Sequence, residues 1–213
     1  MTVYILGNGG HGRDLADIVR AVGAVPSMHD DNQDRGAPLP DGVSFLLGIA
    51  DPHDRAARDF SQNQPYSLHH PSVIGSAACG FGAVIGAGTT IGPGVTLGRH
   101  AHVGAGCTLT RTAVGDYCQI APGVDIAGDV SIGDRVFVGV GATIRNLVTI
   151  GDDAVIGAGS VVLHDVPAGA TVVGIPARII SLAPHDYIGT VGIDSCHTCH
   201  GASSDPVHDW RAA

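Results

Sequence analysis

The sequence predicts a small α/β unit at the amino end of the chain, followed by a long parallel β-solenoid and an irregular tail. Three observations carry this prediction. Short apolar segments alternate with polar or glycine-rich turns over the first 66 residues, the next hundred residues repeat every six, and the periodicity fades beyond residue 180. The predicted domains are therefore residues 1–66, 67–180 and 181–213.

The six-residue repeat extends from Val73 to Val173. We divide it into sixteen hexads and one shorter unit of five residues, Leu109–Ala113. Nearly every unit opens with Ile, Val or Leu, and glycine is common at the second place. A period of six fits neither a packed helix nor a simple alternating strand. It is typical of a triangular coil in which each hexad forms one flat side and points its first side chain inward.

The first 66 residues predict a strand–helix–strand unit with a parallel, Rossmann-like sheet. Val3–Leu6 forms a short apolar strand. One face of the helix that follows is marked by Leu15, Ile18, Val19 and Val22.

A second buried strand is predicted over Val43–Ile49. Asp51 is a plausible N-cap, with Pro52 at the first helical position, for a helix that continues to Phe60.

Composition excludes several classes of partner. The net charge is −9, and the chain has no lysine, so all 11 of its cationic side chains are arginines. A nucleic-acid backbone requires clustered cations, and we therefore expect no nucleic-acid partner. There is no apolar run of about 20 residues and no leader-like amino terminus, so we expect a cytoplasmic protein without a membrane partner. Five cysteines are odd in number and do not indicate a disulfide framework.

The turn Gly7–Gly12 reads GNGGHG and lies between the first strand and the helix. A helix amino terminus presents free N–H groups and the positive end of the helix dipole, which suit a phosphate group. Many such turns contain glycine for geometry alone. Two features favour a ligand: His11 adds a hydrogen-bond donor, and Asp30 and Asp31 stand where a Rossmann-like unit places its ribose-binding acid.

Taken together, these segments resemble the hexapeptide-repeat sugar acyltransferases, which include sialic-acid O-acetyltransferases and bacillosamine and perosamine N-acetyltransferases. The resemblance covers residues 1 to about 180, and it rests on the hexads and on Gly7–Gly12, Asp30-Asp31, Gly48–Asp51, His70–Ile74 and Val173–Ile180. It implies a left-handed parallel β-helix, a homotrimer, and acetyl transfer from acetyl-CoA to an amino or hydroxyl group of a nucleotide-linked sugar.

The resemblance also implies roles for individual residues. The diphosphate of the sugar nucleotide is expected at Gly9, Gly10 and His11, and its base and ribose at Asp30, Asp31 and Ala50. Acetyl-CoA is expected between neighbouring solenoids, along Gln119, Val140, Ala158 and Arg178. No metal cofactor is implied.

The catalytic hexad departs from the family pattern. The family carries a His–acid pair in the unit that is Leu109–Ala113 here. Counting back from Val114 puts Thr110 at the histidine and Arg111 at the acid, whereas counting forward puts Arg111 at the histidine. Gln119 replaces a second family histidine. Three hypotheses remain open. His100 or His102 supplies the base, the enzyme works by positioning alone, or the chain binds ligand without transferring a group. Threonine has no usable pKa and is expected only to orient. Without a histidine base, the rate is expected to lack an ionisation near pH 6.5.

The tail contains Cys196, Cys199 and His200 in a C-x-x-C-H pattern. Haem attachment requires an exported chain and a haem pocket, for which the sequence gives no sign. A zinc site completed by His208 is chemically reasonable, although its ligand spacing is not a standard one. We favour an irregular tail that is dispensable for assembly and ligand binding.

Overall fold

The structure, a computed structural model, describes residues 1–7, 9–29, 43–57, 64–65 and 67–182. The acidic pair Asp30-Asp31 and the Cys/His cluster of the tail therefore lie outside the described residues. The amino-terminal elements are β1 (Thr2–Leu6), α1 (Gly10–Ala21), β2 (Val25–His29), β3 (Ser44–Leu47), α2 (Pro52–Ala56) and β4 (Gln64–Pro65).

The amino-terminal strands form a parallel sheet in the order β2-β1-β3-β4. Helix α1 buries Leu15 and Val19 against it, but Val22 follows the helix end and is exposed, which corrects its predicted place on the packed face. Asp51 caps α2 as predicted, since its Oδ1 accepts hydrogen bonds from the backbone N–H groups of residues 53 and 54. The helix ends at Ala56, short of the predicted Phe60.

The remaining strands form a parallel solenoid of about six turns with three faces. The first face contains β5 (Leu68–His69), β8 (Val84–Ile85), β11 (His102–Val103), β14 (Gln119–Ile120), β17 (Phe137–Val138), β20 (Val155–Ile156) and β22 (Thr171–Val173), with β23 (Arg178–Ser181) antiparallel to β22. The second contains β6 (Ile74–Gly75), β9 (Thr90–Ile91), β12 (Thr108–Leu109), β15 (Asp125–Ile126), β18 (Thr143–Ile144) and β21 (Val161–Val162). The third contains β7 (Ala78–Cys79), β10 (Thr96–Leu97), β13 (Thr112–Val114), β16 (Val130–Ile132) and β19 (Thr149–Ile150).

The predicted inward residues form the solenoid core. The first residues of successive hexads stack in columns, and the largest of them, including Ile85, Leu109, Ile120 and Ile144, are fully buried. Stacked partners are normally eighteen residues apart, as in Ile85 with Val103. One flat side of the coil is thus one hexad, as the sequence indicates.

The predicted five-residue unit is confirmed by the strand register. Leu97 pairs with Val114, and Leu109 pairs with Ile126, so this coil advances seventeen residues instead of eighteen. Arg111 turns the shortened corner with a positive φ of 42°.

The division of the last two predicted hexads is wrong. Val166 pairs with Ile150, and Val172 pairs with Ile156, so these partners are only sixteen residues apart. Val166 and Val172 are buried, whereas Ala168, which opens a hexad in the predicted division, is exposed. The unit that begins at Val162 therefore has four residues, because the chain cuts one corner short before it resumes the six-residue period.

This register makes a test possible. We expect Val166→Ala to lower the free energy of unfolding by about 2 kcal/mol, because it removes two buried methyl groups. Ala168→Glu should change it by less than about 0.5 kcal/mol, because residue 168 faces solvent. Chemical unfolding followed by circular dichroism measures both. The opposite ranking of the two variants would restore the register derived from the sequence.

The amino-terminal unit and the solenoid share a core. Leu68 and Val84, on the first face of the solenoid, are buried with Val3, Leu15 and Leu46 of the sheet and helix. At the other end, β23 continues to Ser181, one residue past the predicted domain limit. Among the helices that the structure describes, none is long and apolar enough to span a membrane.

Candidate functional site

A pocket of about 290 Å³ opens between α1 and the first face of the solenoid. One wall is α1, and the other is built from the ends of β8, β11 and β14 and the turns that follow them. The polar side chains that line it are His11, Asp14, Asp17, His70, His102 and Gln119. Small residues, including Gly86, Gly104 and Ala105, leave the space between these walls open.

Two histidines from distant parts of the chain meet at this pocket. His11 lies in the first turn of α1, and His102 lies on β11. The Nε2 atom of His11 is 2.6 Å from Nδ1 of His102, which is a hydrogen bond between the two rings. His102 is 2% exposed, and its Nε2 has no hydrogen-bond partner among the described residues. The structure thus places His11 against the solenoid rather than in an exposed phosphate loop.

A fully buried arginine, Arg55 of α2, lies behind this pair. Its Nε donates to the Ile49 carbonyl and its Nη2 to the Ala50 carbonyl, at 2.8 and 3.2 Å. Its Nη1 donates to the carbonyls of His100 and Cys118 in the solenoid, at 2.9 and 3.1 Å. These contacts join α2 to two successive coils of the solenoid.

Burial and this cation keep the neighbouring imidazoles neutral. Burial, followed by the charge of Arg55, lowers the pKa of His11 to about 3 and the pKa of His100 to about 4. The same two causes hold the pKa of His102 well below its ordinary value. Burial also lowers the pKa of Arg55 itself to about 9, so its guanidinium stays charged at neutral pH. The site is therefore a cation surrounded by uncharged histidines.

Gln119 lies beside His102 on the first face, and it is buried. Its Oε1 accepts a hydrogen bond from Nη2 of Arg55. An amide oxygen is a suitable acceptor for a buried guanidinium, whereas a protonated histidine at this place would repel it. The sequence predicted Gln119 beside CoA, and the structure places it in the pocket wall with its oxygen already engaged.

Thr110 and Arg111 lie away from this pocket, at the corner between the second and third faces. The Thr110 carbonyl accepts a hydrogen bond from the Thr112 hydroxyl at 3.0 Å. Arg111 is exposed and forms an ion pair with Asp129, with 3.0 Å between Nε and Oδ1. Within one chain the structure does not bring either residue to the pocket that His102 lines.

The structure does not place all of the residues predicted to bind the sugar nucleotide at the pocket. Gly9 is the N-cap of α1, and it and Gly10 are exposed beside the pocket. Ala50 is half-buried, and its carbonyl accepts from Arg55. Asp30 and Asp31 fall outside the described residues. A nucleotide-binding role for these positions therefore stays a prediction.

The predicted CoA residues Val140 and Ala158 occupy one corner column of the solenoid. The column consists of Ala105, Pro122, Val140 and Ala158, and backbone hydrogen bonds link it from coil to coil. The N–H groups of the residues that follow Pro122, Val140 and Ala158 donate to the carbonyls of Ala105, Pro122 and Val140, at 2.9, 3.1 and 2.8 Å. Val140 is 57% exposed. Because Ala105 and Pro122 line the pocket, the column leads along the solenoid surface directly into it.

Arg178 lies apart from that pocket. It is exposed at the carboxyl end of the solenoid, where it lines a second hollow of about 400 Å³ together with His164, Asp165 and Ile179. Within the described ranges, no group of three or more His, Cys, Asp or Glu residues is placed to hold a metal ion.

Sequence reasoning missed Arg55 and His70 as site residues. Arg55 lies on a helix that the capping pattern did predict, but no local signal shows that its side chain crosses to the solenoid. His70 belongs to the His-Pro-Ser-x-Ile segment that contributed to the family resemblance, and it lines the pocket.

Comparison with known proteins agrees with this architecture. Residues 76–111 match the model of the bacterial transferase hexapeptide (six repeats), and residues 129–164 match that of the hexapeptide repeat of succinyl-transferase. The acetyltransferase domain of PglB from Neisseria gonorrhoeae FA1090 superposes with a TM-score of 0.78 at 24% identity, covering 84% of this chain and 99% of that domain. PerB from Caulobacter crescentus, solved with CoA and GDP-perosamine, gives 0.75 at 29% identity, covering 85% and 98%.

The chain resembles the hexapeptide-repeat, left-handed β-helix acyltransferases in its repeats and in its fold. WeeI from Acinetobacter baumannii AYE is a further solved structure of similar fold, with a TM-score of 0.71 at 24% identity over 84% of this chain and all of the other. No curated protein matches the chain. The two repeat models flank residues 112–128, and the first of them ends inside the shortened unit Leu109–Ala113.

Proposed function

We propose that this protein transfers an acetyl group from acetyl-CoA to the amino group of a nucleotide-linked sugar. The observation that carries the proposal is the pocket between α1 and the first face, where the amino-terminal unit meets an exposed column of the solenoid. PerB, at 29% identity over nearly its whole length, was solved with CoA and GDP-perosamine. AntD from Bacillus cereus, a more distant neighbour, was solved with CoA and dTDP-4-amino-4,6-dideoxyglucose.

The column Ala105, Pro122, Val140 and Ala158 suits the pantetheine arm of CoA. It is exposed at Val140 and Ala158 and ends at small residues in the pocket wall. A ligand lying along it contacts the backbone and apolar side chains and brings its thioester into the pocket. The remaining walls, from α1 and the turn at Gly9, are left for the acceptor sugar and its phosphates.

An amine is the favoured acceptor because of the neutral surroundings. In the transfer, the amine nitrogen bonds to the thioester carbonyl carbon, the carbon–sulfur bond breaks, and the amine loses a proton. Buried neutral rings and the buried Arg55 disfavour an additional cation, so the acceptor binds as the uncharged amine. An alcohol requires much stronger base catalysis, and we expect hydroxyl acceptors to be poor substrates.

The experiment is a measurement of free thiol released from acetyl-CoA in the presence of GDP-perosamine, dTDP-4-amino-4,6-dideoxyglucose and their 4-hydroxy counterparts. We expect thiol release with at least one amino sugar and little with the hydroxy sugars. Equal rates with and without each amino sugar would reject the proposal.

Filling the pocket provides a second test. Ala105→Trp should lower kcat/KM on the order of 100-fold or more, because the indole displaces the thioester from its position. Ala21→Trp, at the exposed end of α1, is the matched control and should retain activity. Calorimetry with CoA should show weakened binding only in the first variant. Unchanged activity of Ala105→Trp would place the reaction elsewhere.

A second candidate, a homologue that binds without catalysis, is favoured by the replacement of both family histidines by Thr110 and Gln119. It predicts calorimetric binding of CoA and sugar nucleotide without any thiol release.

We also propose that the protein is a cytoplasmic homotrimer. Light scattering should then return three times the chain mass of 21.5 kDa, and a monomeric mass at micromolar concentration would contradict this.

A further inference from the structure

His70 lies at the end of the corner column that leads into the pocket. Below Ala105 the column continues to Ala87, whose carbonyl accepts a corner N–H at 2.9 Å like the carbonyls above it. One coil lower the pattern changes, because the N–H of Gly88 donates to the side-chain oxygen of Ser72, at 2.8 Å. A hydroxyl group therefore replaces the backbone carbonyl at the last step of the ladder, next to His70.

The contacts of Ser72 decide which nitrogen of the His70 ring carries the proton. The backbone N–H of Ser72 donates to Nδ1 of His70 at 3.1 Å, and Oγ of Ser72 is 2.8 Å from the same nitrogen. Because a backbone N–H only donates, Nδ1 is the acceptor. The Ser72 hydroxyl, whose oxygen already accepts from Gly88, then donates its own proton to Nδ1. In the neutral ring, the proton of the imidazole therefore stands on Nε2.

The Nε2 atom of His70 is available to a ligand. It has no hydrogen-bond partner among the residues that the structure describes, and, unlike Nε2 of His102, it is not buried. His70 is half-buried, and it lines the pocket between α1 and the first face. Polar groups that are fixed in this way give a binding pocket its specificity, because they hold a ligand in one orientation. His70 thus offers one oriented N–H donor to a ligand.

The place of His70 along the column indicates which ligand it meets. Strand β5, which ends just before His70, pairs with β8, and β8 pairs with β11, which is followed by Ala105. Neighbouring coils are about 4.8 Å apart, so the backbone at His70 is about 10 Å from the coil where we place the thioester. An acceptor sugar whose amine contacts the thioester fills this interval.

We propose that Nε2–H of His70 donates a hydrogen bond to an oxygen atom of the acceptor sugar and so holds the amine of that sugar against the thioester. The inference rests on the proposed acetyl transfer. The imidazole binds and orients, and it neither gains nor loses a proton. Hydroxyl and ring oxygens of a sugar accept such a bond. Asp14 and Asp17, on the α1 wall of the same pocket, are acceptors when ionised, and His70 is the complementary donor.

Calorimetry separates this role from a structural one. The probes are GDP-perosamine and dTDP-4-amino-4,6-dideoxyglucose, each compared with the nucleoside diphosphate that lacks the sugar, GDP or dTDP. His70→Ala should weaken the binding of the sugar nucleotide by about 3- to 10-fold, the range for one neutral hydrogen bond. Its affinity for the nucleoside diphosphate and for CoA should not change. Equal losses for sugar nucleotide and nucleoside diphosphate, or no loss for either, would overturn the assignment.

Two further variants make the result specific. Ser72→Ala removes the hydroxyl donor from Nδ1 of His70 but keeps the backbone donor, so it should show a smaller loss than His70→Ala. His69→Ala is the matched control, because Nε2 of His69 is 3.3 Å from Sγ of Cys79 and His69 does not line the pocket. It should bind both classes of probe as the wild type does. A loss in His69→Ala as large as that in His70→Ala would contradict the proposal.

Turnover gives a second readout. With the amino sugar that the wild type acetylates, His70→Ala should lower kcat on the order of 10-fold or more, because the amine is less well placed for attack. The KM for acetyl-CoA and the shape of the pH–rate profile should not change, since the ring transfers no proton. If no probe sugar is acetylated, the proposed acetyl transfer fails by itself, and calorimetry still decides whether His70 binds the sugar. A wild type that binds neither sugar nucleotide more tightly than its nucleoside diphosphate would overturn the role of His70.

Discussion

Arg55→Met should lower the free energy of unfolding by about 3 to 5 kcal/mol, the largest stability change we expect from one substitution in the described chain. The variant removes the guanidinium donors from the carbonyls of Ile49, Ala50, His100 and Cys118 and from the Gln119 side chain. Of these carbonyls, that of Cys118 keeps a second donor, the backbone N–H of His102. Each buried acceptor left unpaired costs about 1 to 3 kcal/mol, offset in part because burying the cation no longer costs energy. Urea unfolding followed by circular dichroism measures the change.

Two further variants make the Arg55 result specific. Arg55→Lys retains the charge but supplies only three donors, so it should fall between the wild type and Arg55→Met. Arg111→Met removes an exposed ion pair with Asp129 and should lower the free energy of unfolding far less than Arg55→Met does. Equal losses in Arg55→Met and Arg111→Met would mean that the buried contacts contribute nothing.

Acidification should destabilise the protein steeply below pH 6.5. Burial, with Arg55, lowers the folded pKa of His11 to about 3 and of His100 to about 4, and it holds that of His102 well below normal. The unfolded chain therefore binds these protons first. The contribution of the three neutral rings to the free energy of unfolding is fully present above about pH 6.5. It decreases as the pH falls toward about 4, by up to about 4 kcal/mol per pH unit near pH 5.

Urea unfolding at half-unit intervals from pH 7.5 to pH 4.5 measures this slope. His102→Val, which places the aliphatic residue of the neighbouring coil at this position, should reduce the slope by about one third, close to 1.4 kcal/mol per pH unit. His164→Gln, at an exposed histidine, should leave the slope unchanged. If His102→Val follows the wild-type curve, His102 is not a buried neutral ring.

The solenoid was predictable because its period is set by local geometry. Each hexad needs only an aliphatic first residue and a tight corner, so the coil and even the shortened unit at Leu109 are visible in the sequence. The last coil was misdivided because Val162–Val173 contains valines at competing places, and both divisions bury aliphatic side chains. The strand pairings of Val166 with Ile150 and of Val172 with Ile156 decide between them.

The site was less predictable because its parts are held together by tertiary contacts. A glycine-rich turn indicated that His11 is functional, but the contact with His102 spans ninety-one residues and has no local signature. Arg55 appeared to be an ordinary charged residue on a short helix. The expected ionisation near pH 6.5 presumed a solvated ring, and burial beside a cation changes that pKa.

The hydrogen bonds of Arg55 also have a consequence for how the chain folds while it is being synthesised. The amino-terminal residues leave the ribosome first, yet Leu68 and Val84 complete their core, and the carbonyl of Cys118 and the amide of Gln119 complete the shell around Arg55. At about 5 to 20 residues per second, several seconds pass before those partners emerge. During that interval the guanidinium remains in water, and the nascent amino-terminal unit cannot close. Its final folding step therefore awaits the middle coils of the solenoid.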